Sequence, residues 1–169
     1  MSGALHIRPA LLQERAELEA LRWRASLIWE EYRQALLANP DAIELPDEQI
    51  GASQVHVGVQ DSGLVGFSVV LARSDGDAEL DGLFVDPPHW RRGIGARLVD
   101  HAAALAKDAG ARMLCVIANP RAEGFYLSSG FRTVGREATR FGDADRMVKA
   151  LGGDVSAGRG RFATPGDRR

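Results

Sequence analysis

Cysteine is almost absent from this chain: among 169 residues there is one, Cys115. A lone cysteine excludes an internal disulfide and leaves too few soft ligands for a structural zinc site. It sits in the apolar run 111–117, so a buried, inert thiol is expected. Lysine is nearly as scarce, with Lys107 and Lys149 facing a large excess of arginine, a skew that reads as bacterial-like genome composition. Long apolar runs are missing. The longest, Leu64 to Ala72, is too short to cross a bilayer, so no membrane is expected as a partner. Met1-Ser2-Gly3-Ala4 offers neither the charged nor the apolar region of an export signal, and the expected compartment is the cytoplasm. A net charge of −2 lacks the basic excess that nucleic acid demands, so none is expected. The histidines (His6, His56, His89 and His101) show no metal-ligand spacing, and no metal is expected.

What is present fits one domain over residues 1–151, followed by a Gly- and Arg-rich tail, 152–169, expected to be mobile. Residues 4–8 read as a strand stopped by Pro9. From Ala10 to Ala38 the apolar residues recur at three- and four-residue spacing, with a break near Ser26. Glu14, Arg15, Glu17, Arg22 and Arg33 fall on the opposite side. A helical turn at Asp47–Ile50 precedes a hairpin, Gln54 to Gln60 and Leu64 to Arg73, turning at Asp61-Ser62-Gly63. Further on come a strand at 111–117, a short helix near 121–129, and a strand from Phe131 to about Arg140. Gly142-Asp143-Ala144-Asp145 reads as the turn into a last strand, Arg146 to Leu151.

Residues 78–98 carry most of the chemistry. A strand-like run, Leu80 to Val85, is stopped by Asp86-Pro87-Pro88. Arg91-Arg92-Gly93-Ile94-Gly95 then opens a helix-patterned stretch that runs to Gly110. First-turn N–H groups of a helix lack intrahelical partners, and the helix dipole favours an anion there. Gly93 and Gly95 lack a Cβ that would hold a phosphate away, and Arg91 and Arg92 add permanent charge. A pyrophosphate site follows. A dinucleotide motif would need a third glycine where Leu98 stands, and no Walker string is present.

Leu83-Phe84-Val85, Pro87 and Arg92-Gly93-Ile94-Gly95 resemble the acetyl-CoA-binding segment of the GNAT acyltransferases. Gly93 and Gly95 match that signature, Gln/Arg-x-x-Gly-x-Gly/Ala, whereas its Gln/Arg position falls on Trp90. About 25 residues downstream, Asn119-Pro120-Arg121-Ala122-Glu123-Gly124-Phe125-Tyr126, then Gly130-Phe131, resembles the family's Asn-x-x-Ala-x-x-Phe-Tyr and Gly-Phe. The resemblance covers roughly residues 4–150. It implies an α/β, GNAT-type fold: a mixed, mostly antiparallel sheet of about seven strands flanked by helices.

It also implies an N-acetyltransferase moving an acetyl group from acetyl-CoA to a primary amine of a small molecule or peptide. The alternatives are a non-catalytic CoA-binding module and a protein-modifying acetyltransferase. Pairing of two copies into a homodimer is left open. The donor is expected on Phe84, Val85, Arg91, Arg92, Gly93, Ile94, Gly95, Ala96, Asn119 and Tyr126. A backbone N–H near Val85 would face the developing oxyanion. Glu79 is the expected base, with Asp81 on the same strand face as the second candidate and water as a third. Both carboxylates also suit a solvent-facing strand. Tyr126 is the expected acid toward the departing thiolate. Asn119 either contacts the donor or caps the following helix. Trp29 and Tyr32 are expected at the acceptor site, although aromatics at that spacing also serve as core.

Overall fold

In the computed structural model residues 3–152 are described, so the expected tail lies, apart from Gly152, outside the described residues. The elements run β1 (His6–Pro9), α1 (Arg15–Leu27), α2 (Glu30–Ala38), α3 (Asp47–Gly51), β2 (Val55–Gln60), β3 (Gly63–Ala72) and β4 (Ala78–Val85). Then follow α4 (Ile94–Asp108), β5 (Met113–Ala118), α5 (Glu123–Ser128), β6 (Arg132–Thr139) and β7 (Gly142–Ala150). Seven strands form one mixed sheet in the order β1-β2-β3-β4-β5-β7-β6. Only the β4–β5 junction is parallel, and it joins the two antiparallel parts.

Strand alternation sends side chains to both faces, and each face has its own helix. On one, Leu18, Leu21 and Ala25 of α1 recur at three- and four-residue steps; Leu18 and Leu21 pack on Val55, Val57, Phe67 and Val69. On the other, Val99, Ala102, Ala103 and Ala106 of α4 cover Ala78, Leu80, Leu114 and Val116. Small alanines let that helix lie close to the sheet. Phe67, Leu18 and Leu98 are wholly buried, and full burial of such a side chain is worth about 1.5–3 kcal/mol.

Three expectations are corrected. The first strand is not 4–8 stopped by Pro9: it runs His6–Pro9 and takes in the proline as its last residue; an edge strand tolerates proline because its outer side needs no donor. The helical stretch breaks at Ile28 and Trp29, slightly beyond Ser26, where Trp29 adopts extended backbone. Gly142-Asp143-Ala144-Asp145 is not a turn. It starts β7, and the chain reverses at Arg140-Phe141, where Thr139 pairs with Gly142. The Thr139 hydroxyl accepts from the Phe141 N–H at 3.1 Å and donates to the Gly142 carbonyl at 2.6 Å, closing the turn without help from the acids.

Candidate active site

The β4–β5 junction holds for two residue pairs, Ala78 with Leu114 and Glu79 with Cys115, and then opens. The cause lies in β4. Val69 faces Gly82 while Val70 faces Leu80, so Asp81 is an extra residue, a bulge that bends its strand away from its parallel neighbour. The Asp86 N–H bonds the Val65 carbonyl at 2.9 Å. Alternation then turns the backbone groups of Phe84 toward β3 and those of Leu83 and Val85 toward the gap.

The gap widens into a cleft of about 1450 Å³. Its walls include Leu83, Phe84 and Val85 of β4, Val116 to Ala118 of β5, and Tyr126 of α5. Arg91, Gly93, Ile94, Gly95 and Ala96 close one end. Arg22 of α1, Tyr32 of α2 and Trp29 between them come from above. Nearly all the residues singled out in the sequence therefore meet in one place. Two do not reach the walls: Arg92, which points to solvent, and Glu79, which lies below Asp81 on the strand. A bidentate pair from Arg24 of α1 to Asp86, at 3.0 and 2.9 Å, anchors the chain just after β4.

At the anion end, Gly93 has φ +77° and is the N-cap of α4, a left-handed conformation that glycine adopts without strain. Arg91 adopts φ +64° as well, an uncommon state for a side-chain-bearing residue, and its side chain joins the cleft wall. Gly95 serves a different purpose. A Cβ there would stand 3.1 Å from the Phe125 ring, so its absence lets α5 pack against the first turn of α4. The α4 N-terminus has no side-chain cap, and its donors stay available. These features fit a CoA pyrophosphate, and the Leu83 backbone groups and the Val85 N–H, turned to the gap, fit the peptide-like arm.

Tyr126 is buried, its ring set edge-on against Phe125 and Phe131 at 5.1 and 5.2 Å. Burial pushes its hydroxyl above the ordinary tyrosine range, so it stays protonated at working pH. Burial likewise raises the Glu79 carboxyl, and the Asp81 carboxylate adds to the shift. Asn119 caps the following turn by accepting from the Arg121 N–H at 2.9 Å, and it also accepts from the Tyr32 hydroxyl at 3.1 Å. The capping role is therefore real, and Asn119 lines the cleft as well. Cys115 is only half-buried, and its thiol is raised chiefly by burial.

Two cleft residues carry more than the sequence reading gave them. Trp90, standing at the Gln/Arg position, donates its indole N–H to the Val85 carbonyl at 2.6 Å. Its ring stacks on Trp29 at 5.9 Å, the Arg121 guanidinium lies over Trp29 at 5.0 Å, and Arg121 pairs with Glu31. The second is Arg22, which the sequence placed on the outer side of its helix. It faces inward, over the Phe84 ring at 4.9 Å. The signal was present in its spacing, four residues after Leu18 and three before Ala25.

Residues 16–131 match the model of the acetyltransferase (GNAT) family. The chain belongs to the GNAT family. Among curated proteins it is 32% identical over 85 residues to uncharacterized N-acetyltransferases of Mycobacterium bovis and Mycobacterium tuberculosis. That match covers 48% of this chain and 54% of theirs, so it spans about half the length of those relatives. Its fold is that of the PaiA N-acetyltransferase of Thermoplasma acidophilum in complex with coenzyme A. The two superpose with a TM-score of 0.69 and 23% identity, over 87% of this chain and 99% of that one. YncA of Salmonella typhimurium, with acetyl-CoA, gives a TM-score of 0.67 at 18% identity, over 90% and 97%. The GNAT signatures thus coincide with the cleft: the first supplies the α4 end of its lining and the second the wall carrying Tyr126. Among the described residues no helix is long and apolar enough to cross a membrane, and no cluster of His, Cys, Asp or Glu could hold a metal.

Proposed function

We propose that this chain transfers an acetyl group from acetyl-CoA to a primary amine by direct attack. The observation that carries the reading is the parting of β4 from β5. It turns the Leu83 and Val85 backbone into an open gap whose wall includes Tyr126. Acetyl-CoA supplies an activated acyl group and a thiolate leaving group with an ordinary pKa of about 8.5.

The first turn of α4, with Arg91, holds the pyrophosphate, and the β4 edge pairs with the pantetheine amides. An acceptor ammonium with a pKa of about 10.4 must lose a proton before attack. Glu79 is the base of choice, because burial has already raised its affinity for a proton. Asp81, in the cleft wall above it, gives the ammonium a counter-charge and a route toward Glu79. The Val85 N–H faces the carbonyl oxygen as negative charge gathers there. Tyr126 then gives its proton to the departing sulfur. Trp29 and Tyr32 form the roof under which the acceptor lies.

The test is a melting titration with acetyl-CoA beside desphospho-CoA, NADH and ATP, then a panel of amines scored by thiol release. At 100 times its dissociation constant a ligand adds about 2.7 kcal/mol, which for a chain of this size raises the melting temperature by about 5–10 °C. Stabilisation by acetyl-CoA with amine-dependent thiol release is expected. An unchanged melting temperature with acetyl-CoA would refute the donor assignment.

A further inference from the structure

Three described arginines are drawn back from solvent: Arg8, Arg15 and Arg22. Arg8 pairs with Glu14 at 2.6 Å, and Arg15 pairs with Glu19 and Asp47. Arg22 pairs with nothing among the described residues. It has no carboxylate within 4.0 Å and no hydrogen bond, although Glu19 sits on the same helix and is engaged by Arg15 and the Leu45 N–H. A desolvated guanidinium without an anion is costly to keep, and structural arginines usually come paired. Here the Phe84 ring carries its flat face, and the rest of the group opens into the cleft.

The placement is as telling as the missing partner. Arg22 descends from α1, while Asp81 rises from the bulge of β4; both line the same cleft, near enough for the Asp81 charge to act on the guanidinium but without a salt bridge between them. A cavity that holds separate positive and negative groups complements a molecule carrying both charges in the opposite sense. Its ammonium would lie against Asp81, beside the proposed base. Its carboxylate would lie against Arg22, whose planar fork suits that group.

We propose that Arg22 is the receptor for a carboxylate on the acceptor, so that the substrates are amines of the amino-acid class. The inference rests on the acetyl-transfer reading for its reaction, and on the unpaired Arg22 for its substrate.

The experiment sets the common amino acids beside their carboxamides, with thiol release as one readout. The free acid is expected to exceed its carboxamide in kcat/KM by about 10- to 100-fold. Arg22→Met should bring that ratio close to one, chiefly through KM, and Arg22→Lys should keep part of it. Melting curves check that each variant folds. The second readout needs no turnover: the Arg22 side-chain N–H resonance, assigned by its loss in Arg22→Lys, is followed in the CoA complex. A shift caused by an acid and not by its carboxamide supports the assignment. Equal use of acid and carboxamide, a preference that survives Arg22→Met, or no resonance shift with any acid overturns it. The first two results leave acetyl transfer standing. Lack of turnover with every amine overturns the transfer reading alone, and the resonance still decides the role of Arg22.

Discussion

At the scale of single residues, the Tyr126 ring is gripped by Phe125 and Phe131 while its hydroxyl belongs to the cleft wall. Removing the hydroxyl leaves the packing intact, so Tyr126→Phe should fold normally and bind acetyl-CoA about as well. Its kcat should fall by about 10- to 100-fold rather than vanish, because a thiolate is a tolerable leaving group. Unchanged kcat in steady-state assays would end its role as acid. For the base, Glu79→Gln should flatten the acid limb of the kcat/KM profile, whereas Asp81→Asn should raise KM and leave that limb in place. The opposite pattern would transfer the role to Asp81. A raised carboxylate pKa also has a sign in stability: the ionised form disfavours folding once pH exceeds the folded value. Glu79→Gln should therefore melt no lower than the parent at neutral pH.

At the scale of elements, β2 and α4 meet through two imidazoles. The His56 and His101 rings meet at 4.9 Å, tilted by 52°, and the Nδ1 of each is buried without a partner, as is the Ser68 hydroxyl beside them on β3. Burial lowers both histidines, and His101 lowers His56 further. As pH falls below about 6.5, the unfolded chain takes up protons before the folded one. Stability is thus complete above that value and is lost as pH falls through the depressed folded values. The melting temperature should drop between pH 7.5 and 5.5, and His101→Leu should shrink that drop. An equal drop in parent and variant would remove the pair as its cause. This contact was not legible in the sequence, because it joins a strand and a distant helix through side chains that periodicity treats one at a time. The β6–β7 reversal was missed for a related reason. Gly and Asp at 142–145 carry strong turn propensity, yet pairing with β6, pairing of Asp145 with Ala118 of β5, and burial of Ala144 hold that segment in the sheet. Tertiary packing outweighs the local preference.

At the scale of the molecule, order and type of the main elements followed from periodicity, and the turn into α4 followed from Gly93 and Gly95. The opening of the sheet did not. It depends on which partner Val69 and Val70 choose on β4, a register that no single strand reveals. Trp90 shows the same limit from the other side. As a letter in a motif it is a mismatch, whereas in space its indole N–H satisfies a carbonyl of the parted strand. Arg22 looked like one more surface charge until its lack of a counter-ion could be seen.

The seating of Phe125 on Gly95 joins the first turn of α4 to α5. On the proposed reading, the loop that would grip the nucleotide and the short helix that would present the acid share one contact, so neither settles independently of the other. Such a joint behaves like a key whose bow and bit are cut from one blank. Grip on the distant phosphates is felt as alignment at the sulfur, and remote binding energy appears as rate. A donor trimmed to its pantetheine end would on this account lose turnover as well as affinity, because nothing would hold the Tyr126 hydroxyl in line while the bond breaks.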